Sequence, residues 1–185
     1  MTAAETYRGG LLLKRITLLR HAKSSWDEPG LSDFDRPLNP RGRRDAPEMG
    51  RRLMARGQTP DLLIVSPAKR AISTARMAAR QMGYPEERII QEPSLYHASA
   101  GIIFRIVTSL ETLANHLMLV GHNPGFTDFA NRLTTTRIDN MPTAALFCVD
   151  FDVTDWSDIQ AADGEFVYFD FPKNKSDILR PQDFQ

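Results

Sequence analysis

The sequence predicts a three-layer α/β/α fold around a mostly parallel sheet, finished by an antiparallel strand at its edge. Three observations lead there. Residues 16–19, 62–65 and 117–120 are short, nearly unbroken apolar runs, the pattern of strands buried on both faces. Between them apolar residues return at helical spacing. Beyond residue 145 the pattern changes to two strand-like runs, 145–151 and 165–171, parted by an acidic, turn-rich stretch that suits antiparallel pairing. With 185 residues the chain is long enough for one domain with its own core.

The elements follow in order. Residues 1–10 read as a loose leader and 11–185 as the domain. The apolar Leu11-Leu12-Leu13 is cut short by Lys14-Arg15, too soon for a signal-peptide core, and no run is long enough to span a bilayer. A cytoplasmic location is therefore expected. The first helix carries Ala46, Met49, Leu53 and Met54 on one face, with Asn39-Pro40 as its start and Gly57 as its stop. For the second, Ser66 reads as the N-cap and Pro67 as the first helical residue. Ala68, Ala71, Ile72, Ala75, Ala79 and Met82 form its stripe, and Gly83 closes it. A third helix is expected over 99–113, with Ile102, Ile103, Ile106, Val107 and Leu110 facing inward. A fourth follows Pro124 through Phe126, Phe129 and Leu133.

Composition removes several functions. Lys plus Arg equal Asp plus Glu, 23 of each, so bulk charge offers nothing to nucleic acid or a membrane surface. The arginines at 41, 43, 44, 51 and 52 read as a solvated helix face. The single Cys148 lies in an apolar run and reads as a buried, inert thiol. Four histidines lack any metal-ligand spacing, so neither a metal nor another cofactor is expected, and His116 at a strand start reads as structural.

The chemistry gathers where the three apolar runs end: Arg20-His21 after the first, Ser66 leading to Arg70 after the second, Gly121-His122 after the third. Ligands of open α/β sheets collect at the carboxyl ends of the strands. Two arginines, two histidines and a helix start on one spot would build a phosphate site.

These residues carry a family resemblance. Leu18-Leu19-Arg20-His21-Ala22-Lys23-Ser24 resembles the Arg-His-Gly signature of the histidine phosphatase superfamily, the phosphoglycerate mutase-like group. Leu38-Asn39-Pro40-Arg41-Gly42, Ser66-Pro67-Ala68-Lys69-Arg70-Ala71 and Gly121-His122-Asn123-Pro124 resemble its later blocks, in order. The compact length, Ala22 and Arg36-Pro37-Leu38 look most like the SixA branch of phosphohistidine phosphatases. The resemblance implies that His21 is a nucleophile that becomes phosphorylated and that Arg20, Arg70 and His122 hold the phosphoryl oxygens. Ser24 and Asn123, inside the matched blocks, and Tyr96 and His97 are expected to meet the substrate. The flanking cations should keep His21 neutral.

Two departures stand out. Ala22 and Asp27 replace a glycine and an asparagine common in the family; Ala22 needs an ordinary backbone torsion, and Asp27 should point away from a phosphate. Mutase-like members also have a glutamate that protonates the leaving oxygen. Here Tyr96 falls at that place, and Glu92 comes a few residues early. An alkoxide needs a general acid and a phosphohistidine's imidazole far less. The missing glutamate therefore favours an N-phosphorylated substrate, a phenolic ester or an anhydride over an aliphatic phosphoester. The resemblance to the SixA branch implies as partner a protein phosphorylated on histidine, such as a histidine phosphotransfer domain. A small phosphorylated metabolite is the alternative, and a phosphate-binding module without turnover is the rival of another class. His97 either touches the leaving group or sits in a loop, and Trp26 either caps the pocket or packs.

Overall fold

The structure, a computed structural model, describes residues 7–8 and 11–174. Most of the leader expected over 1–10 lies outside the described residues. Its described part, β1 (Tyr7–Arg8), pairs antiparallel with β2 (Leu11–Leu12).

The main sheet has six strands: β3 (Lys14–Arg20), β4 (Leu62–Val65), β5 (Ile90–Gln91), β6 (His116–Gly121), β7 (Leu146–Phe151) and β8 (Glu165–Asp170), in the order β5-β4-β6-β3-β7-β8. The first four in that order run parallel. β7 runs against β3, and β8 runs against β7 at the edge. The expected antiparallel finish is present, with the reversed strand one place in from the edge.

Two helices cover each face: α1 (Pro40–Ala55) and α2 (Lys69–Met82) on one, α3 (Ala100–Thr108) and α4 (Gly125–Leu133) on the other. Alternation along the strands sorts the side chains. Leu18, Leu117, Leu119, Phe147 and Val149 pack toward α3 and α4, while Leu19, Met118, Val120, Leu146 and Cys148 pack toward α1 and α2. A strand with an apolar partner on both faces must read as an unbroken apolar run.

Helix ends follow local chemistry in most places. Asn39 Oδ1 accepts from Gly42 N at 2.9 Å at the start of α1, and Gly57 at its end has φ +66°. Gly83 closes α2 in the left-handed region. Two expectations need correction. α2 begins at Lys69, with Ala68 as its cap residue; Ser66 Oγ lies ahead of the helix, where it accepts from Ala68 N at 3.4 Å and stands 2.7 Å from His122 Nε2. α3 stops at Thr108 rather than 113: Ser109 caps it and Leu110 N turns back to Val107 O at 3.2 Å, and Leu113 beyond is exposed. Among the described residues no helix is long and apolar enough to cross a membrane.

Candidate active site

β3, β4 and β6 are adjacent and parallel, so their carboxyl ends deliver Arg20-His21, Ser66 and Gly121-His122 to one rim of the sheet. Arg70 rises from the first turn of α2. The His21 and His122 rings lie 5.0 Å apart between centroids. All three of His21, Arg70 and His122 are buried, at 9%, 4% and 5% exposure. The site is thus assembled by strand order.

The histidine tautomers follow from their partners. His21 Nδ1 lies 2.8 Å from Ala22 O, an acceptor only, so that nitrogen carries the proton. Nε2 then keeps its lone pair and accepts from Arg70 Nε at 3.3 Å. Burial is the largest influence on His21; the Ala22 bond opposes it, and Arg70, Arg20 and Arg36 add to it, bringing the pKa down to about 3. The expected neutrality is present, with burial ahead of the cations as its cause. His122 is lowered to about 3 as well, first by burial and then by His21, Arg70 and His97. Ser66 Oγ accepts from Ala68 N at 3.4 Å and can donate to His122 Nε2, which leaves the His122 proton on Nδ1. That Nδ1 is buried and has no partner among the described residues, an open donor of the kind a ligand completes.

A carboxylate the sequence reading passed over organises the mouth. Asp33 Oδ2 accepts from Arg70 Nη2 at 2.9 Å and from the Tyr96 hydroxyl at 3.0 Å, and Oδ1 accepts from Arg36 Nη1 at 2.8 Å. Burial alone would raise the Asp33 pKa, but the bonds from Tyr96, Arg36 and Arg70 bring it down to about 2. Arg36 also reaches Ser24 Oγ at 2.5 Å and lies 3.2 Å over the Trp26 ring. The only sequence sign of this network was the mixed-charge run Asp33-Phe34-Asp35-Arg36 ahead of Pro37.

The other expected contacts are distributed unevenly. Tyr96 stands 5.7 Å from the His122 ring, its pKa raised by burial and then by Asp33. His97 is exposed, with Nε2 3.6 Å from Asp33 Oδ2 and its ring 6.3 Å from that of His122. Ser24 is buried and serves Arg36 rather than the open pocket. Asn123 donates to Asn140 Oδ1 at 2.8 Å and Met141 O at 3.2 Å, holding the rim. Met141 O also accepts from Arg20 Nη1 at 2.5 Å.

Glu92 is a local cap, accepting from Ser94 N at 2.8 Å, and so is not brought to the site. Asp27 turns to Ser25 Oγ at 2.6 Å, as expected, and Ala22 has no positive φ. Trp26 is 71% exposed and stacks on Arg36. His116 bonds Thr17 Oγ1 at 2.8 Å inside the sheet, and burial pushes the Cys148 thiol up to about 12. The arginine face of α1 is mostly tied up: Arg51 and Arg52 pair with Glu48, and Arg52 also reaches Asp170 at 2.9 Å. Among the described residues no three potential ligands are grouped to hold a metal.

The chemistry available is nucleophilic attack by a buried neutral imidazole on an anion held by guanidinium groups. Comparison with known proteins points the same way. The family model of the histidine phosphatase superfamily (branch 1) matches residues 16–111, over half of the chain. An uncharacterized chloroplastic protein of Arabidopsis thaliana is 34% identical over 68% of this chain, and the match covers 61% of that protein. An uncharacterized protein of Mycobacterium tuberculosis is 34% identical over 57% of this chain and 63% of its own length. The chain thus spans about three fifths of the length of these curated relatives. Among solved structures, a protein assigned as the phosphohistidine phosphatase SixA from Agrobacterium tumefaciens aligns with TM-score 0.74 and 28% identity, over 86% of this chain and 98% of that one. The tungstate complex of the protein histidine phosphatase SixA also has TM-score 0.74, at 21% identity, over 88% and 99%, a likeness of fold. By its ordered blocks, its sheet and the family match, this chain belongs to the histidine phosphatase superfamily, branch 1.

Proposed function

We propose that the protein is a phosphatase that passes the phosphoryl group through His21, with phosphohistidine on a protein partner as its substrate class. The observation that carries this reading is the state of His21: Nδ1–H held by Ala22 O, and Nε2 bare beside Arg70 Nε. Nε2 attacks phosphorus, and the bond to the leaving nitrogen breaks with its electron pair departing on that nitrogen. Arg20, Arg70 and His122 Nδ1–H stabilise the charge on the phosphoryl oxygens. Water then attacks the phosphohistidine. The P–Nε2 bond breaks, its electrons return to Nε2, and the water proton leaves with phosphate or solvent. The arginines supply the positive charge this transfer requires, so the reading is metal-independent.

The leaving group supports the choice of substrate. Glu92 is turned away, Asp33 is held ionised, and Tyr96 is a weak acid whose proton is engaged by Asp33. A ring-protonated phosphohistidine leaves as neutral imidazole and needs little more acid help. The second reading is a small-molecule phosphomonoesterase, favoured by the cation-lined cavity next to Arg20. Rapid quench should trap acid-labile, base-stable phosphate on the wild type and none on His21→Ala. Turnover should favour phosphohistidine over sugar phosphates by orders of magnitude. Equal turnover on both moves the assignment to the second reading. A protein that binds phosphate with no phosphoenzyme and no turnover is a binding module instead.

A further inference from the structure

A cavity of about 370 Å³ shares Arg20 with the candidate active site but is not lined by His21, Arg70 or His122. Its charged lining is Arg20, Lys23, Arg41 and Lys173 against the single carboxylate of Asp45, with residues 142–143 and 171–172 closing it. The four segments come from distant parts of the chain yet meet at the same rim. Arg20 and Lys23 end and follow β3, residues 142–143 precede the reversed β7, residues 171–173 follow β8, and Arg41 sits in the first turn of α1. Packing fixes this arrangement: Asn39 N donates to Lys23 O at 3.0 Å, and a Cβ on Gly42 would stand 2.2 Å from the same oxygen.

Internal neutralisation of this lining is incomplete. Asp45 is shared between Arg41, 3.4 Å away, and Arg44, 3.6 Å away. Arg41 Nη2 donates to Thr143 Oγ1 at 2.9 Å. Arg20 has Met141 O for Nη1, but its Nε is buried without a hydrogen bond. Lys23 and Lys173 have no ion-pair partner among the described residues. The first turn of α1 holds no acidic side chain, so its dipole adds to the positive potential. Cations gathered in a concave site, one with an open buried N–H, form a receptor for an anion.

We propose that this cavity is an anion subsite, taking a second phosphate or carboxylate carried by the same molecule whose phosphoryl group lies at His21; this rests on the phosphatase reading above. The two groups straddle Arg20. One source is an acidic side chain near the phosphohistidine of a protein; the other is a second anionic group on a small metabolite.

The test uses the full chain and the double variant Lys23→Ala/Lys173→Ala, which leaves His21, Arg20, Arg70 and His122 intact. An alkyl diphosphonate and the matching monophosphonate, which resist hydrolysis, are titrated by calorimetry and used as inhibitors of phosphoramidate hydrolysis. The wild type should bind the diphosphonate about tenfold tighter than the monophosphonate, and the variant should lose that advantage with monophosphonate binding and kcat within about twofold. Equal binding of the two probes by the wild type, or equal weakening of both in the variant, overturns the subsite. Phosphohistidine peptides flanked by Asp or by Ala, and sugar bisphosphates against monophosphates, then identify the source: whichever pair loses its discrimination in the variant names it. Calorimetry needs no turnover. A protein with no phosphoenzyme but a Lys23- and Lys173-dependent diphosphonate preference refutes the catalytic reading and keeps the subsite. Turnover without that preference does the reverse.

Discussion

Acid should unfold this protein earlier than its charge balance suggests, because two buried histidines and the half-buried His116 are held neutral. His21, His122 and His116 have pKa values of about 3, 3 and 4, each lowered first by burial. In the unfolded chain each returns to near 6.5, so below that pH the unfolded state binds more protons. Stability is therefore fully present above pH ~6.5 and is lost progressively as pH falls, down to about 4 for His116 and about 3 for His21 and His122. At pH 5 each histidine has given up about 2 kcal/mol, and the three together about 6, comparable to the whole stability of a typical domain. Asp33, lowered to about 2, adds a loss of the same sign only under more acid conditions. Urea unfolding followed by circular dichroism at pH 7, 6 and 5, at constant ionic strength, should give a slope of about three protons between pH 5 and 6. His116→Gln can keep a bond to Thr17 Oγ1 outside the site and should remove about one of those protons. A slope below one proton, or no difference in the variant, would refute the claim that burial holds these rings neutral.

Other outcomes test the site and its supports. Arg70→Lys keeps the charge but loses the fork that serves both His21 and Asp33, and kcat/KM on phosphoramidate should fall about 100-fold or more. Ser24→Ala removes the hydroxyl on Arg36 Nη2 and leaves the Asp33 pair, so steady-state assays should show only a threefold to tenfold loss, about one hydrogen bond. Gly42→Ala drives a Cβ to 2.2 Å from Lys23 O; denaturant titration should show a loss of about 2 kcal/mol or more, with weaker diphosphonate binding. Cys148, wholly buried with its pKa at about 12, should react with thiol reagents only after unfolding.

Much of the architecture is legible because its causes are local. An unbroken apolar run such as Leu62–Val65 has to be a strand covered on both faces. Asn39-Pro40 announces the start of α1 through a bond within one turn, and Gly83 ends α2 because the left-handed conformation suits glycine. Where distant partners compete, local reading fails. Ser66 is of N-cap residue type and accepts from Ala68 N, yet α2 starts only at Lys69 and the same hydroxyl also meets a histidine 56 residues away. Leu110 continues the apolar stripe of α3, yet the helix closes at Ser109 before reaching it.

The same division runs through the chemistry. The sequence by itself determined that two histidines and two arginines stand at strand ends and a helix start, since residue type and apolar runs are written in order along the chain. Only the tertiary structure decided what those groups can do. It set the tautomer of His21 through Ala22 O, left His122 Nδ1 open by giving its other nitrogen to Ser66, and brought Asp33 and Arg36 to the mouth. It also closed a cationic cavity from four separate segments. Proton positions and electrostatic fields depend on distances across the fold, and the parallel alignment of β3, β4 and β6 sets those distances.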